Sequence, residues 1–219
     1  MSMLKNERAQ ESRRDRNKRE KLEAIEAAAR RLFARQGFEA TTTRAIAEQA
    51  GIGTGTLFTY FPEKLDLLVH LYREDLERLS TEALDALPPD LPLTEACARV
   101  FDAFYAFYEI DLGLGRTFVK ELMFLKLDRQ AEMFNMTLRF LGRLGELVSA
   151  AQARGEVRDE VPAPLAAHQL FGVYYWGLVT WLAGAFATRA QLNTQVRMSL
   201  DLLMRGMAVE SGAVETSVG

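Results

Sequence analysis

An all-α fold is what this sequence predicts, on three observations. Apolar residues recur at three- and four-residue steps through most of the 219 positions. No segment alternates apolar and polar residues long enough to read as a strand. The prolines number only six, three of them clustered at Pro88, Pro89 and Pro92, so long stretches run uninterrupted. The composition agrees: 48% of residues are apolar, with 13 Phe and 8 Met, enough for a large core and unlike a disordered or fibrous chain. About nine helices are expected in total.

Residues 1–16 are charged and hold no apolar segment. They read as a basic flexible arm and not as a secretory leader, which makes the cytoplasm the expected location. Over residues 18–36, Leu22, Ile25, Ala29, Leu32 and Phe33 line one helical face, and Gly37 supplies the stop. Thr41, Thr42 and Thr43 offer hydroxyl caps for a short helix through Ala50, which Gly51 ends. Thr54 is expected to cap a third helix to Phe61, which Pro62 cannot continue. From Glu63, the residues Leu65, Leu68, Val69, Tyr72, Leu76 and Leu79 hold one face to about Ala86, where the proline cluster turns the chain. Further helices are expected near 93–110, 114–127, 130–154, 162–188 and 190–209. Residues 211–219 lack apolar bulk and read as a disordered tail. Residues 17–62 then form a three-helix helix-turn-helix domain and residues 63–210 a larger helical domain.

Charge divides along the chain. Residues 1–64 hold 13 Lys/Arg against 9 Asp/Glu, whereas the remainder is acidic. A basic front end on an acidic body suggests that the front meets a polyanion. The segment 42–60 supplies the matching geometry: two short helices about a Gly-containing turn, the second with a small, hydroxyl-bearing outward side. Such a helix fits a major groove about 12 Å wide, with Thr54, Thr56, Thr59 and Tyr60 able to reach base edges. Ile46, Ala50, Ile52, Leu57 and Phe61 are expected to be its packing side. A plain helical hairpin whose threonines are only caps fits the same spacing.

The residues themselves are more specific. The stretch AIEAAARRLFARQGFEATTTRAIAEQAGIGTGTLFTYFPEKLDLL resembles the DNA-binding domain of the TetR family of bacterial transcriptional regulators nearly end to end. That resemblance implies a homodimeric, ligand-released repressor on a palindromic double-stranded operator. It places Thr43 and Arg44 where the second helix meets DNA, and Thr54, Gly55, Thr56, Phe58, Thr59 and Tyr60 on the recognition helix. Lys64 falls on a phosphate contact. The chain departs from the family at Gly53 and Thr54, where a Ser before a long polar residue is common, at Phe58, which lacks a frequent tyrosine hydroxyl, and at Pro62. Weaker base readout throws affinity onto Arg13, Arg14, Arg16, Lys18 and Arg19, expected to enter the neighbouring minor groove.

Between Leu93 and Leu147 the sequence is rich in aromatic and thioether side chains, as a ligand-holding bundle would be. With the family resemblance, this implies a pocket for a small hydrophobic or aromatic effector, drawn from Phe101, Phe104, Tyr105, Tyr108, Phe118, Met123, Phe124, Phe134 and Tyr174. Arg139 and Arg143, one turn apart, are candidates for a ligand carboxylate or phosphate. Residues 161–188 contain no Asp, Glu, Lys or Arg, but the prolines, His168, Gln169 and three glycines argue against a membrane span. No membrane partner is expected. The segment reads instead as a helix buried by partners, and the family's dimer bundle would use Tyr175, Trp176 and Trp181 with Val196, Leu203 and Met207 of the last helix.

No catalytic constellation is present in the sequence. His70 and His168 stand apart, Cys97 is the single cysteine, and GIGTG at 51–55 neither follows a strand nor continues as a phosphate loop. The expectation is a non-enzyme without cofactor or metal. Two other readings fit: an all-α small-molecule sensor or carrier with weak DNA binding, and a ligand-independent DNA-binding regulator or activator.

Overall fold

The computed structural model describes residues 13–122 and 127–208, with backbone only for 127–130. Nine helices occupy the described residues: α1 (Arg13–Ala40), α2 (Thr43–Gln49), α3 (Thr54–Tyr60), α4 (Lys64–Asp85), α5 (Leu93–Ile110), α6 (Leu112–Leu122), α7 (Leu127–Ala153), α8 (Ala163–Leu182) and α9 (Arg189–Met207). One isolated antiparallel bridge joins Val157 to Ala208. The chain forms two compact units that divide after Tyr72, inside α4, whereas the sequence placed the boundary before that helix. The reason is visible in the side chains of α4's first turns. Leu67 and Leu68 are buried, and His70 Nε2 lies 2.8 Å from Glu26 Oε1 on α1.

In the first unit, α1 carries its apolar stripe inward through Ile25, Ala28, Ala29, Leu32 and Phe33. Gly37 breaks the helical path at φ 78°, a conformation costly for residues with a Cβ, and the Thr41 hydroxyl donates to its carbonyl at 2.7 Å. Residues 13–16, expected in a flexible arm, form the first turn of α1. Their charges do not forbid helix, because straight-chain Arg is a good helix former and Arg16 faces Glu20 at the i,i+4 spacing. The arm's residues 1–12 lie outside the described residues, as does the expected tail 211–219.

The second unit is built on α5, which buries Leu93, Cys97, Val100, Phe101, Phe104 and Tyr105. α7 packs on α8, and α8 and α5 both pack on α9. Close approach at α8 depends on Gly177: a Cβ there would stand 2.8 Å from Tyr105 Oη and 3.1 Å from Val196 Cγ2. Tyr105 Oη donates to the Tyr174 carbonyl at 2.9 Å, so the hydroxyl is both buried and satisfied. Polar ties hold α9 to α5, with Arg189 reaching Asp102 and Glu109, and Arg197 reaching Glu95. α8 stops at Leu182, earlier than the sequence suggests. Gly184 turns the chain at φ 94°, and Arg116 Nε donates to the Leu182 carbonyl at 2.6 Å, capping the helix end. No described helix is long and apolar enough to cross a membrane.

Candidate nucleic-acid interface and ligand cavity

The two-helix motif of the first unit is specified locally. The Thr42 side chain accepts from Ala45 N at 3.1 Å and starts α2, as the threonine triplet predicts. The turn closes with Gly51 N donating to Glu48 O at 3.1 Å and Ile52 N to Ala47 O at 3.0 Å. Gly51 sits at φ 69°, where only glycine is comfortable. Gly53, not Thr54, is the N-cap of α3, and no side chain caps it. Thr54 is freed from the capping role and stands half-exposed in the first turn.

Burial separates the two sides of this motif. Ile46, Leu57 and Phe61 are buried, while Ala50 and Ile52, expected beside them, are only half-buried. On the outer side, Arg44, Gly55, Phe58 and Thr59 are exposed and Thr43, Thr54, Thr56 and Tyr60 half-exposed. Phe58 keeps 46% of its surface in solvent, which a lone domain has no packing reason to allow on so short a helix. Thr59 Oγ1 donates back to Gly55 O at 3.1 Å and the Tyr60 hydroxyl to Lys18 O at 3.3 Å, fixing both side chains.

Two expectations change here. Lys64, assigned to a phosphate, spends its ammonium on main-chain carbonyls at the end of α1: Phe38 O at 2.6 Å, Thr41 O at 2.8 Å and Glu39 O at 3.4 Å. It also lies 4.2 Å over the Phe38 ring, so it is a cap for the Gly37 bend. The cations Arg13, Arg14, Arg16, Lys18 and Arg19 are exposed, but they sit on the helical start of α1. A helix about 10–12 Å across cannot enter a minor groove about 6 Å wide, so these residues do not form an extended minor-groove arm. Arg19 is also paired with Glu23 at 3.0 Å.

The second unit encloses a cavity of about 410 Å³, within the range of about 300–1,000 Å³ common for small-molecule sites. Its walls come from α4, α5, α6, α7 and α8. Of the expected pocket residues, Phe104, Tyr108, Phe118 and Tyr174 line it. Phe101 and Tyr105 do not; both are fully buried in the packing behind it. Phe134 points to solvent at 61% exposure. Met123 and Phe124 lie outside the described residues. Phe171 and Tyr175 of α8 also line the cavity, with their rings stacked 5.8 Å apart. The apolar character of residues 161–188 was the available signal for them, but it says only that α8 is enclosed, not by what.

Burial raises the Tyr105 and Tyr174 phenols well above their ordinary range, so both are neutral hydrogen-bonding groups. Burial likewise pushes the Cys97 thiol up to about 12, leaving it a small apolar core residue. Of the expected dimer residues, Trp181, Val196 and Met207 are buried within the chain's own core, and Tyr175 faces the cavity. Trp176 is 69% exposed, three turns from exposed Leu165 on the same face of α8, and Met198 and Leu202 of α9 are exposed likewise. His168 bonds the Pro164 carbonyl one turn back at 2.7 Å and His70 meets Glu26, so both histidines have structural partners.

Residues 25–71 match the model of bacterial regulatory proteins of the tetR family. The chain is similar to the fatty acid metabolism regulator protein of Bacillus subtilis, 24% identical over 165 residues that cover 75% of this chain and 85% of that one. It is also similar to the HTH-type transcriptional repressor KstR of Rhodococcus jostii, 28% identical over 78% of this chain and 74% of that protein. Among solved structures, Thermus thermophilus FadR, a TetR-family transcriptional repressor in complex with lauroyl-CoA, superposes with a TM-score of 0.71 at 24% identity. The superposition covers 87% of this chain and 97% of that one and shows a shared fold. These relatives are named as regulators and repressors, not as enzymes.

Proposed function

We propose that this chain, which belongs to the tetR family and is a DNA-binding transcriptional regulator, acts as a homodimeric repressor that leaves a palindromic operator when a hydrophobic small molecule fills its cavity. The observation that carries the reading is the outer side of α2 and α3. Arg44, Thr54, Thr56, Phe58 and Thr59 stand in or near solvent on a helix pair whose other side buries Ile46, Ala47, Leu57 and Phe61. Short hydroxyls and one flat ring suit base edges and thymine methyl groups in a major groove, while Arg44 suits a phosphate or guanine.

A second copy of the chain accounts for the exposed apolar residues of α8 and α9. Trp176 on α8 and Met198 and Leu202, one turn apart on α9, are large apolar side chains left in solvent that a partner surface would cover, and a two-fold pair would present two recognition helices to half-sites about 34–36 Å apart. Leu203, half-exposed on α9, belongs at the edge of that contact. The cavity is the effector site. The lauroyl-CoA held by the Thermus thermophilus structure makes a long acyl chain the first candidate, and the aromatic walls here suit it. Because α4 runs from the first unit into the second, ligand-dependent displacement of its second half is the route by which the effector changes DNA affinity. The effector must bind the released state more tightly than the DNA-bound one.

The test is a gel shift of the full chain on DNA from upstream of its own gene, at fixed salt, with and without lauroyl-CoA. Retardation that lauroyl-CoA reverses supports the proposal. Failure to retard any duplex contradicts it, and retardation untouched by hydrophobic ligands of several classes leaves a ligand-independent regulator.

A further inference from the structure

The rim of the cavity differs chemically from its interior. Four of the described lining residues carry charge, Glu77 on α4 and Arg139, Arg143 and Glu146 on α7. The rest of the wall is apolar or bears hydroxyl groups. Arg139 and Arg143 are one helical turn apart on the same face of α7, and both reach across to α4. Arg139 pairs with Glu77, and Arg143 Nη2 with Asp85 Oδ1 at 2.7 Å. Arg143 Nε also lies 3.3 Å from Glu146 Oε2 on its own helix. Two of the ion pairs that tie α4 to α7 thus stand at the mouth of an apolar chamber, and a third, Arg73 with Glu132 at 3.7 Å, is not among its lining residues.

Resting on the reading of the cavity as the effector site, we infer that the effector is amphipathic with an anionic head, and that Arg139 and Arg143 exchange Glu77 and Asp85 for that head. Guanidinium groups hold a carboxylate or a phosphate in the same forked geometry that they use for an aspartate or glutamate. All four side chains are partly open to water, so the existing pairs are screened and readily exchanged. The apolar chain, once inside, holds the anion at the rim at high effective concentration, which a free anion in solution lacks. Exchange leaves Glu77 and Asp85 without their α7 partners and loosens the C-terminal half of α4 from α7, with the Arg73–Glu132 pair left in place. Occupancy is thereby converted into freedom of the helix that runs on into the DNA-binding unit.

The experiment is calorimetric titration of the full chain with dodecanoate, with dodecanol as the neutral isostere, and with lauroyl-CoA, whose anionic groups are phosphates. Two variants accompany it: Arg139→Gln with Arg143→Gln, and Glu77→Gln with Asp85→Asn. The expected result is that an anionic ligand binds the wild type about tenfold more tightly than dodecanol, the scale of a charged hydrogen-bonded contact. The arginine variant loses that preference while still binding dodecanol, which reports an intact cavity. The carboxylate variant binds the anionic ligand several-fold more tightly, because competitors are gone, and its DNA affinity responds less to ligand. A preference shown by dodecanoate identifies the head as a carboxylate; one shown only by lauroyl-CoA identifies phosphates. If the arginine variant binds all three ligands as the wild type does, or the carboxylate variant leaves anion affinity unchanged, the exchange is overturned. If the wild type binds none of the three, the effector reading itself falls, and this inference with it.

Discussion

The helix pair α2–α3 and the cavity of the second unit are organised by different ranges of interaction. The former is set within about twenty residues: a threonine cap, a glycine at positive φ, and a burial pattern that turns Leu57 in and Phe58 out. The latter exists only because five successive helices, with lining residues spread from Leu76 to Leu178, leave space between them. A helix pair of this kind can therefore be recognised from residue order, whereas a chamber depends on which rings meet at long range. Phe101 and Phe104, one turn apart on α5, show the consequence. Both are buried, yet one packs the core and the other faces the void.

Substitutions can sharpen this contrast. The largest effect is expected from Phe101→Ala, which removes a fully buried ring and costs about 3–5 kcal/mol in chemical denaturation. Phe171→Ala, in the partly exposed cavity wall, is expected to cost clearly less and to change ligand affinity instead. Equal losses from the two would mean that the cavity is not a pre-existing void. Next comes Gly51→Ala, which forces a Cβ into left-handed backbone and weakens the first unit by about 1–2 kcal/mol. Nothing lies within 4 Å of that added carbon, so the cost is conformational, and DNA affinity should fall with little change in ligand binding. A variant with unaltered DNA affinity and stability would show that the turn geometry does not matter.

The smallest effect concerns the tie between α5 and α9. Hydrogen bonds from Arg197 and then Arg99 hold the Glu95 carboxyl below its ordinary range. Its folded-state affinity for a proton is lower than in the unfolded chain. The pair therefore contributes stability above the unfolded carboxyl range, and that contribution is lost as pH falls through the depressed folded value. Glu95→Gln should cost under about 1 kcal/mol at neutral pH, as expected for a surface pair, and the difference from wild type should shrink as the solution is acidified. A difference that grew on acidification would reverse the assignment.

Much of the fold was legible because periodicity records burial. The bounds of α5 match the sequence reading, and Thr42 and Gly51 perform the roles that their chemistry suggests. What failed has a common cause. Lys64 is indistinguishable in sequence from a phosphate-binding lysine, because only the folded bend at Gly37 brings three carbonyls within its reach. Trp181, Val196 and Met207 are apolar whether they meet their own chain or another, so sequence could not divide core from interface. Arg139 and Arg143 were visible as a spaced pair, but their partners on α4 lie more than fifty residues away and carry no local signal.

The central claim is that the outward side of α3 reads base edges. Fluorescence anisotropy of the full chain, at physiological salt, on a duplex selected from random DNA and on its scrambled counterpart tests this most directly. The account predicts a preference for the selected duplex of at least about a thousandfold, as sequence-specific binders show. Equal affinity for the two duplexes would contradict it.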